Sequence, residues 1–159
     1  MTTKKLIVPF DFSAQSEAAL EYAAALAREI DATLIIVHVQ ELPVVHPEGS
    51  YYYGLPVPDD GGIASMLENV RPSIQGVAFE HRLLKGDPAS QVATVAAKEK
   101  AEMIVMSSLG RAGLGRLILG SIAEAVMRKA ECPVLIVKSR PVTERLPCEE
   151  AIVQTISYE

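Results

Sequence analysis

An α/β fold with a five-stranded parallel sheet is what this sequence predicts, and three observations carry that expectation. Five short apolar runs are rich in Val, Ile and Leu, the pattern of strands buried on both faces. Stretches with apolar residues at helical spacing separate these runs, so strand, helix and strand repeat as parallel crossover units. The apolar content is 49% of 159 residues, yet only five Tyr, three Phe and no Trp contribute to it, so the core is almost wholly aliphatic. A chain of this length and content buries a core of one-domain size, which excludes global disorder.

The elements follow in order. Lys5 to Pro9 (KLIVP) reads as a buried strand. Ser13 or Ser16 can cap a helix from Ala14 to Ile30, with Ala19, Leu20, Tyr22, Ala23, Leu26 and Ile30 at helical spacing. Asp31 and Ala32 link it tightly to a second strand, Thr33 to Val39. Gln40 to Gly62 holds four Pro, four Gly and the run Tyr51 to Tyr53, the composition of a long loop. A short helix is expected over Ile63 to Ile74, ended by Pro72, and a third strand over Val77 to Leu84. Gly86, Asp87 and Pro88 form a turn in which Asp87 caps the next helix and Pro88 opens it. That helix runs over Ala89 to Lys100 and leads to a fourth strand, Met103 to Met106. A glycine-rich loop, Ser107 to Arg116, precedes a helix over Leu117 to Ala130, which Gly120 and Ser121 could restart. Cys132 and Pro133 break it before the fifth strand, Val134 to Val137. One domain thus spans residues 1–138, with 139–159 as a C-terminal extension.

Charge and composition narrow the function. Twenty acidic against fifteen basic residues leave a net charge of −5. That balance argues against a nucleic-acid or anionic-membrane binder, since both need a positive field. Two Cys are too few for a disulfide framework, and no run approaches the 18 apolar residues of a membrane span. Asp11 interrupts the first apolar run too early for a signal peptide, so a cytoplasmic location is expected.

Ligands of parallel sheets sit beyond the carboxyl ends of the strands. Asp11, Val39, Gly86 and Ser107 all fall there and should converge on one crevice. The richest stretch is Ser107-Ser108-Leu109-Gly110-Arg111-Ala112-Gly113-Leu114-Gly115-Arg116, running on to Gly120-Ser121. A strand, a glycine-rich loop and a helix N-terminus offer backbone N–H groups and a dipole to an anion. Ser107, Ser108 and Ser121 add hydroxyls, and Arg111 and Arg116 add charge, a set suited to a polyphosphate. The P-loop pattern fails, because Gly115 is followed by Arg116 and Leu117 rather than Lys and Ser or Thr. A dinucleotide fingerprint from Gly113 fails at Ile118. The plain alternative is a connection whose glycines serve only its turns.

The chain resembles the universal stress protein family over Lys4 to Lys138. KLIVPFDFSAQSEAAL is similar to that family's first strand and helix, TLIIVHV to its second strand, and Met106 to Val137 to its C-terminal signature. Nucleotide-binding members carry Gly, two residues, Gly, nine residues, then Gly-Ser or Gly-Thr. Gly110, nine residues and Gly120-Ser121 fit, while Ser107 replaces the first glycine and Leu109 a frequent His. The resemblance implies a three-layer, Rossmann-like fold of the adenine nucleotide alpha hydrolase-like type. It implies that ATP, with or without Mg²⁺, is bound. Pro9 and Asp11 would border adenine and ribose, and Val39 would meet the adenine. Ser107, Ser108, Gly110, Arg111 and Gly113 would line the ribose and phosphate path. Gly120, Ser121 and Ile122 would hold the phosphates. It also implies a homodimer through Val134 to Val137, an edge of the kind that tends to pair. The alternative is a nucleotide-independent dimeric interaction module, resting on Ser107, Leu109 and the divergent middle region.

The remaining candidates have plainer readings. Asp11 could orient a ribose or hold Mg²⁺ through water, or simply serve the start of the first helix. His38, between Val37 and Val39, reads as a structural histidine. Cys132 lacks a paired His and reads as a packed residue. Tyr51 to Tyr53 could lid the pocket or meet a partner. No metal cage or hydrolytic constellation is apparent, so at most slow ATP turnover is expected; adenylyl or phosphoryl transfer is a weaker third reading.

Overall fold

The computed structural model describes residues 3–41, 60–109 and 119–138. Its elements are β1 (Lys4–Pro9), α1 (Ala14–Ile30), β2 (Ala32–Gln40), α2 (Asp60–Glu68), β3 (Phe79–Lys85), α3 (Pro88–Lys98), β4 (Met103–Ser107), α4 (Ser121–Lys129) and β5 (Val134–Val137). All strand pairs are parallel, in the order β3-β2-β1-β4-β5. The chain therefore builds outward from β1 on one side, then crosses back through α3 to start β4 on the other. The switch point lies between β1 and β4.

Side-chain alternation along the strands sorts the core into two layers. Leu6, Val8, Leu34, Ile36 and Val105 face α1 and α2, where Leu20, Ala23, Ala24, Ala27 and Leu67 meet them. Ile7, Ile35, Val37, Ile104 and Met106 face α3 and α4, against Ala89, Val92, Ala96, Ala123 and Val126. The result is a helix–sheet–helix sandwich, the expected α/β architecture. Alanines on α1 and α3 let the helices approach the sheet closely. Each fully buried Leu, Ile or Val contributes about 1.5–3 kcal/mol.

Local chemistry explains the helix starts and the departures from expectation. Ser13 caps α1, its Oγ accepting from the N–H of Ser16 at 3.1 Å. Asp87 caps α3, accepting from the N–H of Ser90 at 2.9 Å, with Pro88 in the first turn as the sequence suggests. The helix α2 starts earlier than expected, taking in Gly61 and Gly62. It also stops at Glu68, well before Pro72. Its end is tightened by the N–H of Asn69 donating to Met66 O and that of Val70 to Leu67 O, a 3₁₀ pattern. Leu119 and Gly120 are not helical and α4 begins at Ser121, the restart that the sequence allows within Leu117 to Ala130; Leu117 and Ile118 lie outside the described residues. Strand β3 is displaced toward Lys85, since Val77 and Ala78 precede its ladder. The expected loop over Gln40 to Gly62 lies mostly outside the described residues, as do Tyr51 to Tyr53 and the segment 139–159. Gln40 itself ends β2.

At the opposite end of the sheet, Lys5 Nζ meets Glu99 Oε2 at 2.5 Å, and Arg82 bridges Glu99 and Glu80. This network ties the end of α3 to β1 and β3. The Lys5 ammonium, donating to Glu99, holds its carboxyl below the usual carboxylate range, assisted by Arg82.

Candidate functional site at the strand carboxyl ends

The ladder between β1 and β4 is short, pairing only Leu6 with Met103 and Ile7 with Ile104. Pro9 has no N–H with which to extend it. Beyond this ladder the chain leaves β1 through Phe10 to Ser13 and leaves β4 through Ser107 to Leu109. This is the switch-point position where α/β sheets take their ligands.

The β1 exit is tightly organised. Phe10 donates its N–H to Val37 O at 2.8 Å, continuing the pairing with β2. Phe12 adopts φ 64°, a left-handed conformation that costs a bulky residue free energy. That bend lets Asp11 Oδ1 accept from the N–H of Ser13 at 3.0 Å and from the Ser13 hydroxyl. Asp11 is therefore not the cap of α1; it orients the serine that is. The His38 ring donates Nδ1–H to Phe10 O at 2.7 Å and lies 4.8 Å from the Phe12 ring. His38 is thus a structural tie between β2 and the β1 exit, as its sequence position suggests.

The β4 exit is joined to α4. Ser107 Oγ donates to Leu109 O at 2.8 Å, and Ser108 donates its N–H to Val137 O at 3.2 Å. The Gly120 N–H donates to Ser108 O at 2.7 Å. A Cβ added at Gly120 would lie 3.1 Å from that oxygen and 3.7 Å from the Leu109 Cα. Gly120 is the N-cap of α4 and makes no side-chain cap bond, unlike Ser13 on α1 and Asp87 on α3. The first N–H groups of α4 thus have no side-chain acceptor from their cap residue, and the helix dipole makes that end favourable for negative charge. Glu124 of the first turn already pairs with Arg128.

The structure brings the sequence-predicted residues together in two groups on neighbouring strands. Pro9, Asp11 and Val39 belong to the β1 and β2 ends, with Pro9 paired to Val37 and Val39 paired to Leu84. Val39 packs partly on the α3 and α4 face. Ser107, Ser108, Gly120, Ser121 and Ile122 belong to the β4 and α4 group, where Ser121 and Ile122 are exposed. Gly110, Arg111 and Gly113 lie outside the described residues. Among the described residues no cluster of three His, Cys, Asp or Glu could hold a metal ion. No described helix is long and apolar enough to cross a membrane. Cys132 is half-buried, and burial pushes its thiol above the ordinary range, which suits a packed residue.

Two features at this end of the sheet were not visible in the sequence. One is the left-handed Phe12. The other is Gln40, 9% exposed, whose buried Oε1 has no hydrogen-bond partner among the described residues.

Known proteins with this sequence pattern and fold bear on the same region. The family model described as the universal stress protein family matches residues 2–138. The universal stress protein MJ0531 of Methanocaldococcus jannaschii is 34% identical over 146 residues, covering 85% of this chain and 82% of that one. The solved structure of MJ0577 from the same organism superposes with a TM-score of 0.67 at 25% identity, covering 88% of this chain and 99% of that one. A universal stress protein crystallised in complex with cAMP superposes with a TM-score of 0.64, also at 25% identity, covering 87% and 98%. With its five-stranded parallel sheet and a family match over nearly its whole length, the chain belongs to the universal stress protein family.

Proposed function

We propose that this protein binds an adenine nucleotide, ATP above all, in the crevice between the β1 and β4 exits, and that occupancy regulates its interactions. The observation that carries the reading is the N-terminus of α4. It lacks a side-chain cap and is drawn against Ser108 O through a glycine whose added Cβ would lie 3.1 Å from that oxygen. Backbone N–H groups so arranged suit phosphate oxygens. A structural neighbour in complex with cAMP supports the same ligand class.

In this reading Gly120, Ser121 and Ile122 hold phosphates, while Ser107 and Ser108, with Gly110, Arg111 and Gly113, line the path from the ribose. Asp11 and Pro9 border the ribose and adenine, and Val39 supplies an aliphatic wall. No aromatic residue lies between Glu80 and Ser157, so this segment contributes aliphatic and backbone contacts rather than stacking. Residues 1–138 form the binding unit and 139–159 an extension. The protein acts in the cytoplasm as a homodimer, paired through the outer edge of β5, an edge strand of the sheet. Mg²⁺ would accompany the phosphates and shield their charge. Binding, rather than turnover, is the working function.

A second reading, a nucleotide-independent dimeric module, is favoured by Ser107, whose hydroxyl is already used on Leu109 O. Equilibrium dialysis with labelled ATP, with and without Mg²⁺, separates the two. Saturable binding that Gly120→Asp weakens at least tenfold supports the first. Absence of binding at millimolar ATP refutes it and leaves the second.

A further inference from the structure

A cleft of about 530 Å³ opens on the α1 and α2 face of the sheet, between α1 and the connection from α2 to β3. It is distinct from the α4 N-terminus, which belongs to the opposite layer. Its volume falls in the range of small-molecule pockets. Phe10, Phe12, Leu20 and Met66 supply its apolar lining. The Phe10 and Phe12 rings stand edge to face, their centroids 5.4 Å apart. Met66 is half exposed there, an apolar side chain with no covering element among the described residues.

The rim charges are unequally committed. Glu17 and Glu21 both line the cleft, one turn apart on α1. Glu21 accepts from the Ser73 N–H at 2.9 Å and from the Ser73 hydroxyl, which anchors the far wall. Arg71, the cation of the rim, places its guanidinium 5.7 Å from the Phe79 ring centroid. Glu17 has no ion pair or hydrogen bond from its side chain among the described residues, so its carboxylate is the uncommitted charge of the rim. An apolar, partly aromatic floor beside an uncommitted carboxylate complements an apolar body that carries one positive charge.

We propose that this cleft is a second binding site, for a small organic cation with an aromatic or alkyl body seated on Phe12 and Met66, above the buried Phe10 and Leu20, and its ammonium group against Glu17. The cleft uses neither the α4 N-terminus nor Val39, and it meets the nucleotide reading only at the β1 exit, where its Phe10 and Phe12 flank Asp11. Dansylcadaverine, an aromatic body with a primary ammonium, is the probe, and dansylamide is the same ring system without the charge. Fluorescence titration, with ¹⁵N amide shifts to locate the ligand, is the experiment. Dansylcadaverine is expected to bind saturably below millimolar concentration, to shift the amides of Glu17, Leu20 and Val70, and to bind more tightly than dansylamide. Glu17→Lys is expected to weaken it about fivefold, the scale of an exposed charge pair, and to leave dansylamide unchanged. Glu17→Gln should weaken it less, and serves if the reversal disturbs the first turn of α1. Three results would overturn the proposal. One is equal affinity for the two probes with no effect of either substitution. Another is shifts confined to Ser121, Ile122 and Val39. The last is no saturable binding at all.

Discussion

The substitution Gly120→Ala examines the contact on which the candidate site is built. Gly120 has φ −62° and ψ 151°, an extended conformation that alanine adopts without strain. Two effects therefore nearly cancel. Alanine is a poorer N-cap than glycine by about 0.5–1 kcal/mol. Restricting the unfolded chain returns about 0.4–1 kcal/mol. What remains is crowding: the new Cβ would sit 3.1 Å from Ser108 O, and that oxygen is held by the Gly120 N–H at 2.7 Å. Relieving the contact lengthens a short hydrogen bond and displaces the β4 exit, at a cost of about 1–2 kcal/mol, the low end of overpacking. The expected change is a melting temperature lower by about 2–8 °C, given about 2–4 °C per kcal/mol for a domain of this size. Gly120→Ser brings the same Cβ but restores a cap bond worth about 1 kcal/mol, so it should lie between alanine and the parent. Thermal and urea unfolding of the three proteins is the assay. An alanine variant as stable as the parent would refute the close approach, and with it the account of why glycine stands there.

Three further expectations follow from the same geometry. Asp31 closes α1 at φ 55°, so Asp31→Gly should add about 0.5–1 kcal/mol of stability and raise the urea midpoint; a lower midpoint would mean that the aspartate side chain has a role there. The Glu99 carboxyl is lowered by Lys5, so its contribution is complete above the ordinary carboxylate range and is lost as pH falls toward the lowered value. Glu99→Gln should therefore flatten the acid side of the stability profile, and an unchanged profile would contradict the pairing. Burial raises the Cys132 thiol, so in a Cys148→Ser background its alkylation by iodoacetamide should be slower than that of a free cysteine peptide and rise only at higher pH. Rapid alkylation at neutral pH would place it in a different environment.

Much of the fold was legible because the strands are short, aliphatic and separated by strong punctuation. Val134–Val137 and Ala14–Ile30 fall where periodicity and breakers put them, and Asp87 with Pro88 marks its helix start through capping chemistry alone. The misplaced boundaries have physical causes. Leu119 continues an apolar pattern that reads as helix, but it is not helical: Gly120 bonds back to Ser108 O and α4 begins after it. Gly61 and Gly62 read as loop, yet they enter α2.

The site divides in the same way. Its chemistry, a glycine and serines at a helix N-terminus, was readable from local spacing. Its assembly was not. The Gly120–Ser108 approach, the His38–Phe10 tie and the left-handed Phe12 arise from tertiary contact between segments far apart in the chain or from a bend no composition encodes. The Glu21–Ser73 anchor of the second cleft spans 52 residues and left no trace in local pattern.

The most direct test of nucleotide binding is a ¹⁵N amide titration of the purified chain with ATP and Mg²⁺. The account predicts saturable shifts led by Gly120, Ser121 and Ile122, with Asp11 and Val39 moving in parallel, and their loss in Gly120→Asp. Unchanged amides at the start of α4 at millimolar ATP would contradict it.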